Sequence, residues 1–165
     1  MNSLQIDSWE KLIELFAQEF DMSNSNAWPF VDLTSQEVGV HVDEAYGDPS
    51  SEEDLEGHEL VEIDPKESSE GFNIMERFAM SRPDAEADKL FNALHRRHPF
   101  AMFRSAGEYL GILQEWYKFK DEALEVIAAD RLRDCDIEFR DGKIVCTNPA
   151  NISVFHCDGA DDANE

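Results

Sequence analysis

The chain has 165 residues, 37 acidic against 14 basic, a formal net charge of −23 and a hydrophobic fraction of 42%. Such a composition belongs to a folded domain with a real core and not to a disordered segment, and no apolar run reaches the length of a membrane span. The charge argues against direct binding of nucleic acid, which works by cations displacing counterions, and against anionic membrane surfaces.

Residues 7–21 place Trp9, Leu12, Ile13, Phe16 and Phe20 at spacings of three and four, which predicts an amphipathic helix. Asp7 is its expected cap, with Glu10 at the capping-box position. SNSNAWP breaks the pattern. In FVDLTSQEVGVHVDE, Val31 and Leu33 alternate, then Val38, Val40 and Val42, which predicts two strands. A turn at Ser35-Gln36 would set Leu33 opposite Val38 and Val31 opposite Val40. Ser-Gln is a poor primed turn, so a longer loop remains open.

AYGDPSSEEDLEG reads as an acidic loop and HELVEID, 58–64, as a third strand. SSEGFNIMERFAM predicts a short helix capped by Ser68 or Ser69, with Asp64-Pro65 as the other possible start. SRPDAEADKLFNALHRRHP predicts another, with acids in its first turn and bases in its last. Pro99 ends that helix and can open the next through Phe100 and Phe103, and a longer helix is expected from about Glu108 to about Arg133. IEFRDGKIVC is a hairpin signal, with Asp141-Gly142 in the turn and Phe139 opposite Ile144. The expectation is one α+β domain over residues 1–148: an N-terminal helix, a small antiparallel sheet, a C-terminal helical cluster and a terminal β-hairpin. Residues 149–165 are expected to be a frayed acidic tail.

Charge is distributed unevenly. Residues 1–65 hold 17 acids and one base, Lys11. From Lys89 to Arg104 there is no acid at all, while Lys89, Arg96, Arg97 and Arg104 stand there with His95 and His98. One role for this basic island is to complement a helix C-terminus and pair with acids of the N-terminal half. The other is to bind an anion or a partner, because a guanidinium presents a planar fork to carboxylate or phosphate and the helix opened by Pro99 offers free amides.

Other constellations carry less. There is no phosphate-cradling glycine loop, no H-E-x-x-H and no nucleophile elbow in the sequence. Asp32, His41, Asp43 and Glu44 would form an acid–base or metal cluster only by converging on one face of the hairpin, which is expected instead to be its polar, solvent-facing side. Cys135, Cys146, His156 and Cys157 have zinc-ligand chemistry but lack a C-x-x-C, so no metal and no cofactor is expected. An odd number of cysteines does not describe a disulfide framework, and the N-terminus lacks the pattern of a secretory signal, so a cytoplasmic protein is expected.

Three stretches carry a family resemblance: FVDLTSQEV (30–38), LVEIDPKESSEGFNIMERFA (60–79) and NALHRRHPFAMFRSAGEYLGILQEWYKFKDEAL (92–124). Their order and spacing resemble a bacterial uncharacterised protein family, serial number one-five-eight, over about residues 28–135. Two departures stand out: Gln36 replaces a usual turn glycine, and Arg97-His98-Pro99 lacks the glycine common in the basic turn. The resemblance implies no catalytic or cofactor residues. The functional expectation is a non-enzymatic interaction or regulatory protein, with a basic protein among its possible partners. The alternatives are a small-anion binder or phosphoester-acting enzyme centred on Arg96, Arg97 and Arg104, and, more remotely, a nucleic-acid mimic formed by residues 1–65.

Overall fold

A computed structural model describes residues 5–42 and 54–156. The elements run α1 (Trp9–Asp21), β1 (Ala27–Asp32), β2 (Glu37–Val42), β3 (Glu59–Glu62), α2 (Ser68–Met80), α3 (Asp84–Leu94), α4 (Pro99–Leu110), α5 (Leu113–Asp134), β4 (Ile137–Arg140), β5 (Lys143–Cys146) and β6 (Ile152–Val154). This is the α+β arrangement expected from the sequence, with a sixth strand added. The chain divides into two compact units, residues 1–66 with 127–165, and residues 67–126.

The first unit is built on an antiparallel sheet of order β2-β1-β3-β6, with the two-stranded β4–β5 hairpin as a separate sheet. Its core takes the apolar stripe of α1, Leu12, Phe16 and Phe20, together with Val31, Val61, Ile63, Leu132, Ile137 and Ile144, all buried. The cap of α1 lies one residue later than expected: Ser8 Oγ, not Asp7, accepts from Lys11 N at 3.0 Å. The exit of α1 is tied down by Ser23, buried, whose hydroxyl donates to Phe20 O and accepts from Lys66 N at 2.8 Å.

The β1–β2 register differs from the expected one by two residues. Val31 faces Val38 and Pro29 faces Val40, and the strands are joined by the loop 33–36. A shift of two keeps every side chain on its face, so the alternating pattern cannot distinguish the registers. The turn decides: Asp32 Oδ1 accepts from Thr34 N at 2.9 Å and Ser35 N at 3.0 Å, and Gln36 N donates to Asp32 O at 2.8 Å. This side-chain-capped turn replaces the two-residue turn that Ser-Gln forms poorly. Gly39, opposite Phe30, is required by packing, because a Cβ there would lie 2.8 Å from the Phe30 ring.

Gln36 ends the loop at φ 63, the left-handed region where a glycine would be unstrained. Its side chain reaches the hairpin. Nε2 donates to Leu33 O and Ile144 O, each at 3.0 Å, and Oε1 accepts from Ile144 N at 2.6 Å. The amide thus behaves as one extra residue of backbone on the open edge of β5. The hairpin itself has its expected turn and register, with Asp141 at φ 54, Gly142 at φ 76 and Phe139 opposite Ile144.

The chain does not fray at Asn148 as expected. The Asn148 side chain caps a short 3₁₀ turn, Pro149–Asn151, and β6 pairs antiparallel with β3 through Val61 opposite Ile152. Strand-edge hydrogen bonds on β3 are the physical reason, and a strand of three residues, Ile152–Val154, is too short to announce itself by alternation.

The second unit is helical. Phe78 lies 5.4 Å from Trp116, 5.3 Å from Phe119 and 6.3 Å from Phe103, and Phe103 lies 4.9 Å from Trp116, by ring centroids. Tilted and edge-on rings at these distances form the unit's centre. Helix α2 is capped by Glu67 and not by Ser68 or Ser69, with Glu70 Oε1 accepting from Glu67 N at 3.0 Å. Helix α4 continues past Glu108 to Leu110 and stops at Gly111, φ 74, so the break before α5 falls later than expected.

The Gln36 geometry yields an ordered prediction. Gln36→Ala removes three hydrogen bonds while keeping the strained φ and should cost about 2–3 kcal/mol. Gln36→Gly loses the same bonds but relieves the backbone, and should recover about 0.5–1 kcal/mol of that. Urea unfolding of the three proteins should rank them wild type, glycine, alanine.

Candidate functional site

The basic island lies at the α3–α4 connection of the helical unit. Helix α3 ends at Leu94, earlier than the sequence suggests, with His95 as its cap; its Nδ1 donates to Phe91 O at 2.7 Å. Arg96 and Arg97 therefore sit in the turn beyond the helix and not in its last turn. Pro99 occupies the first position of α4, where its missing N–H costs nothing, and there is no acid in the first turn of that helix. Arg104 follows on α4 and Lys89 precedes on α3. All four cations are exposed.

His98 lies between them at φ 56, ψ 57. A left-handed residue before a proline is doubly restricted, and it reverses the chain sharply into α4.

Electrostatically, the turn stands apart from its surroundings. Elsewhere Arg82 pairs with Glu86 at 2.8 Å, Lys66 with Asp21 at 2.7 Å and Arg140 with Glu138 at 2.7 Å. Among the described residues, Arg96, Arg97 and Arg104 make no ion pair. Lys89 sets its ammonium 5.3 Å from the centre of the Tyr109 ring. Tyr109 is 77% exposed and Phe100 49%, so two aromatic side chains share α4 with Arg104 and remain available at the surface. Phe100 also packs on Gly71 of α2, where a Cβ would approach its ring to 3.3 Å. The result is a surface of cations and aromatics along a stretch of chain, Lys89 to Arg104, that contains no acid.

The first unit holds a second polar arrangement, one that the sequence alone did not reveal. Asp32, only 2% exposed, has Oδ2 2.7 Å from His58 Nδ1. A carboxylate only accepts, so Nδ1 carries the proton. Asp32 does not lie on a solvent-facing side, as the alternation suggested, because β3 pairs beside it with Leu60 opposite Asp32. His41 belongs to another end of the sheet, opposite Trp28, and stands edge-on to Phe155 at 5.2 Å. Asp43 and Glu44 lie outside the described residues. His58 could have been noticed only by knowing that β3 pairs with β1, since 26 residues separate it from Asp32.

The cysteine and histidine set is likewise divided. Cys135 and Cys146 are free thiols near one another, His156 Nδ1 lies 3.0 Å from Glu56 Oε2, and Cys157 lies outside the described residues. Among the described residues no group of three or more His, Cys, Asp or Glu side chains is placed to hold a metal ion, and no helix is long and apolar enough to cross a membrane.

Comparison with known proteins gives a consistent picture. The profile of the uncharacterised protein family UPF0158 matches residues 1–145. The chain is 37% identical over 114 residues to the UPF0158 protein PA5073 of Pseudomonas aeruginosa, an alignment covering 66% of this chain and 73% of the relative. No solved structure matches.

Two substitutions test the local geometry. His98→Gly should raise stability by about 0.5–1 kcal/mol, the left-handed strain relieved less the entropy that glycine loses. Asp32→Ala should lower it by about 2–4 kcal/mol, because two amides and a half-buried imidazole lose their acceptor. Thermal unfolding followed by circular dichroism measures both.

Proposed function

The chain belongs to the uncharacterised protein family UPF0158, and from that premise we propose that it is a non-enzymatic cytoplasmic interaction protein whose α3–α4 surface docks a carboxylate-bearing segment of a partner protein. One observation carries the reading. In a chain with 37 acids and 14 bases, Arg96, Arg97 and Arg104 are exposed and form no ion pair among the described residues.

Physical chemistry favours a carboxylate partner there. At physiological ionic strength charges are screened beyond about 8 Å, so an approaching acidic segment responds to the local cations more than to the net charge of −23. Each guanidinium can take a carboxylate through two parallel hydrogen bonds. Exposed Tyr109 and Phe100 beside the arginines match the residue types that carry binding energy at protein interfaces. The neighbouring amides at the start of α4 favour negative charge as well.

A second reading, a small anion held by the same arginines, has the helix N-terminus at Pro99 in its favour. It is the weaker one. Small-ligand sites bury about 70–90% of their ligand in a concave pocket, and these side chains are exposed on a turn and a helix face. A polypeptide can cover such a surface.

Fluorescence anisotropy with a labelled oligoglutamate peptide provides the test. The variant carrying Arg96→Ala, Arg97→Ala and Arg104→Ala should bind about tenfold more weakly, as expected for three exposed pairs of about 0.5 kcal/mol each. Equal binding of an oligoglutamine control, or no change in the triple variant, would refute the docking surface. Displacement of the peptide by equimolar inorganic phosphate would favour the small-anion reading instead.

A further inference from the structure

We propose that Cys135 and Cys146 are a redox-modification site, joined as a reversible intramolecular disulfide by a hydroperoxide and reopened by a dithiol reductant. The inference belongs to the first unit and is independent of the α3–α4 surface.

The fold brings the two thiols together from different elements. Cys135 follows the last turn of α5, its N–H bonded to Leu132 O at 3.1 Å. Asp136 then stands at φ 63 and turns the chain into β4. Cys146 closes β5 opposite Ile137, and Thr147 N donates to Asp136 O at 2.9 Å. Both cysteines thus stand at the open end of the hairpin. The Cys146 sulfur is 3.5 Å from Cys135 O and 3.3 Å from Asn148 O, so it points across the hairpin end. Ordinary bond lengths then place that sulfur within about 6 Å of the Cys135 Cα, so rotation of the Cys135 side chain carries the two sulfurs toward each other. Both residues are partly exposed, which admits a small oxidant.

The roles of the two sulfurs differ. Burial raises the Cys135 thiol above its ordinary pKa, and the nearby Asp64, Asp134, Cys146 and Asp136 raise it further. Cys135 therefore resists becoming the attacking thiolate. The Cys146 thiolate attacks a peroxide oxygen, the O–O bond breaks, and for hydrogen peroxide one water leaves after protonation. Cys146 is now a sulfenic acid. The Cys135 sulfur then displaces its oxygen, which departs as a second water with the Cys135 proton. Two thiols have lost two electrons and two protons, and the peroxide has gained them.

The bridge would act where several segments meet. Cys135 O also accepts from Asn151 Nδ2 at 2.9 Å, and the same amide donates to Asp136 Oδ2 at 3.2 Å. Asn151 leads directly into β6, the edge strand of the main sheet. Oxidation would pin the end of α5, the hairpin and the root of β6 at one point.

The experiment uses the full chain carrying Cys157→Ser, which removes the third thiol. After stoichiometric hydrogen peroxide, thiol titration should fall from two to none per chain. Non-reducing peptide mapping should find the Cys135 and Cys146 peptides joined and lighter by two hydrogens, and dithiothreitol should restore both thiols. Cys135→Ser in the same background should instead leave Cys146 as a sulfenic acid trapped by dimedone. Peroxide treatment that leaves both thiols titratable, or yields only chain-to-chain links or unlinked sulfinic acids, would overturn the proposal.

Discussion

A single buried carboxylate organises the first unit. Asp32 is almost wholly removed from solvent, and a charge so placed must find donors on every side. It finds three: the amides of Thr34 and Ser35, and the imidazole of His58. The two amides set the path of the β1–β2 loop, and that path sets the register of the hairpin. The register in turn places Gln36 in a left-handed conformation with its amide against Ile144, 108 residues away. The imidazole ties the entrance of β3 to the end of β1. Three regions distant in sequence meet because one acid is satisfied.

The same principle, applied to cations, marks the exposed surface of the helical unit. Most basic residues of this acidic chain have a visible use, in ion pairs or over aromatic rings, as with Arg131 on Phe20 and Arg133 on Trp9. The arginines at the α3–α4 turn depart from that pattern among the described residues. In the proposed docking, that charge meets a partner's carboxylates and the flanking aromatics supply apolar area that short-range ionic contact lacks. The Asp32–His58 pair closes a turn and starts a strand through both Asp32 oxygens and His58 Nδ1.

Much of the fold was legible in the sequence because the relevant signals are local. Asp141-Gly142 supplies two consecutive positive φ values, and only one hairpin register follows. The apolar stripe of α1, the aromatic positions Phe78, Phe103 and Trp116, and Pro99 at a helix start were readable for the same reason. The basic island was equally plain, since a run without acids is a property of the chain itself. The β1–β2 register was not legible, because a shift of two residues leaves the alternation of Val31, Val38 and Val40 unchanged. The position of His58 was not, because nothing in HELVEID says which strand lies beside it.

By itself, then, the sequence determined the element types, the α+β class, the terminal hairpin and the place where positive charge gathers, all of which depend on spacing within a few turns or one strand pair. Tertiary structure alone decided which polar groups became partners: Asp32 with His58, Gln36 with Ile144, the Cys146 thiol with the Cys135 carbonyl, and β6 with β3. Each of these joins segments whose approach depends on burial of a common core, and a hydrogen bond between distant residues leaves no periodic trace along the chain.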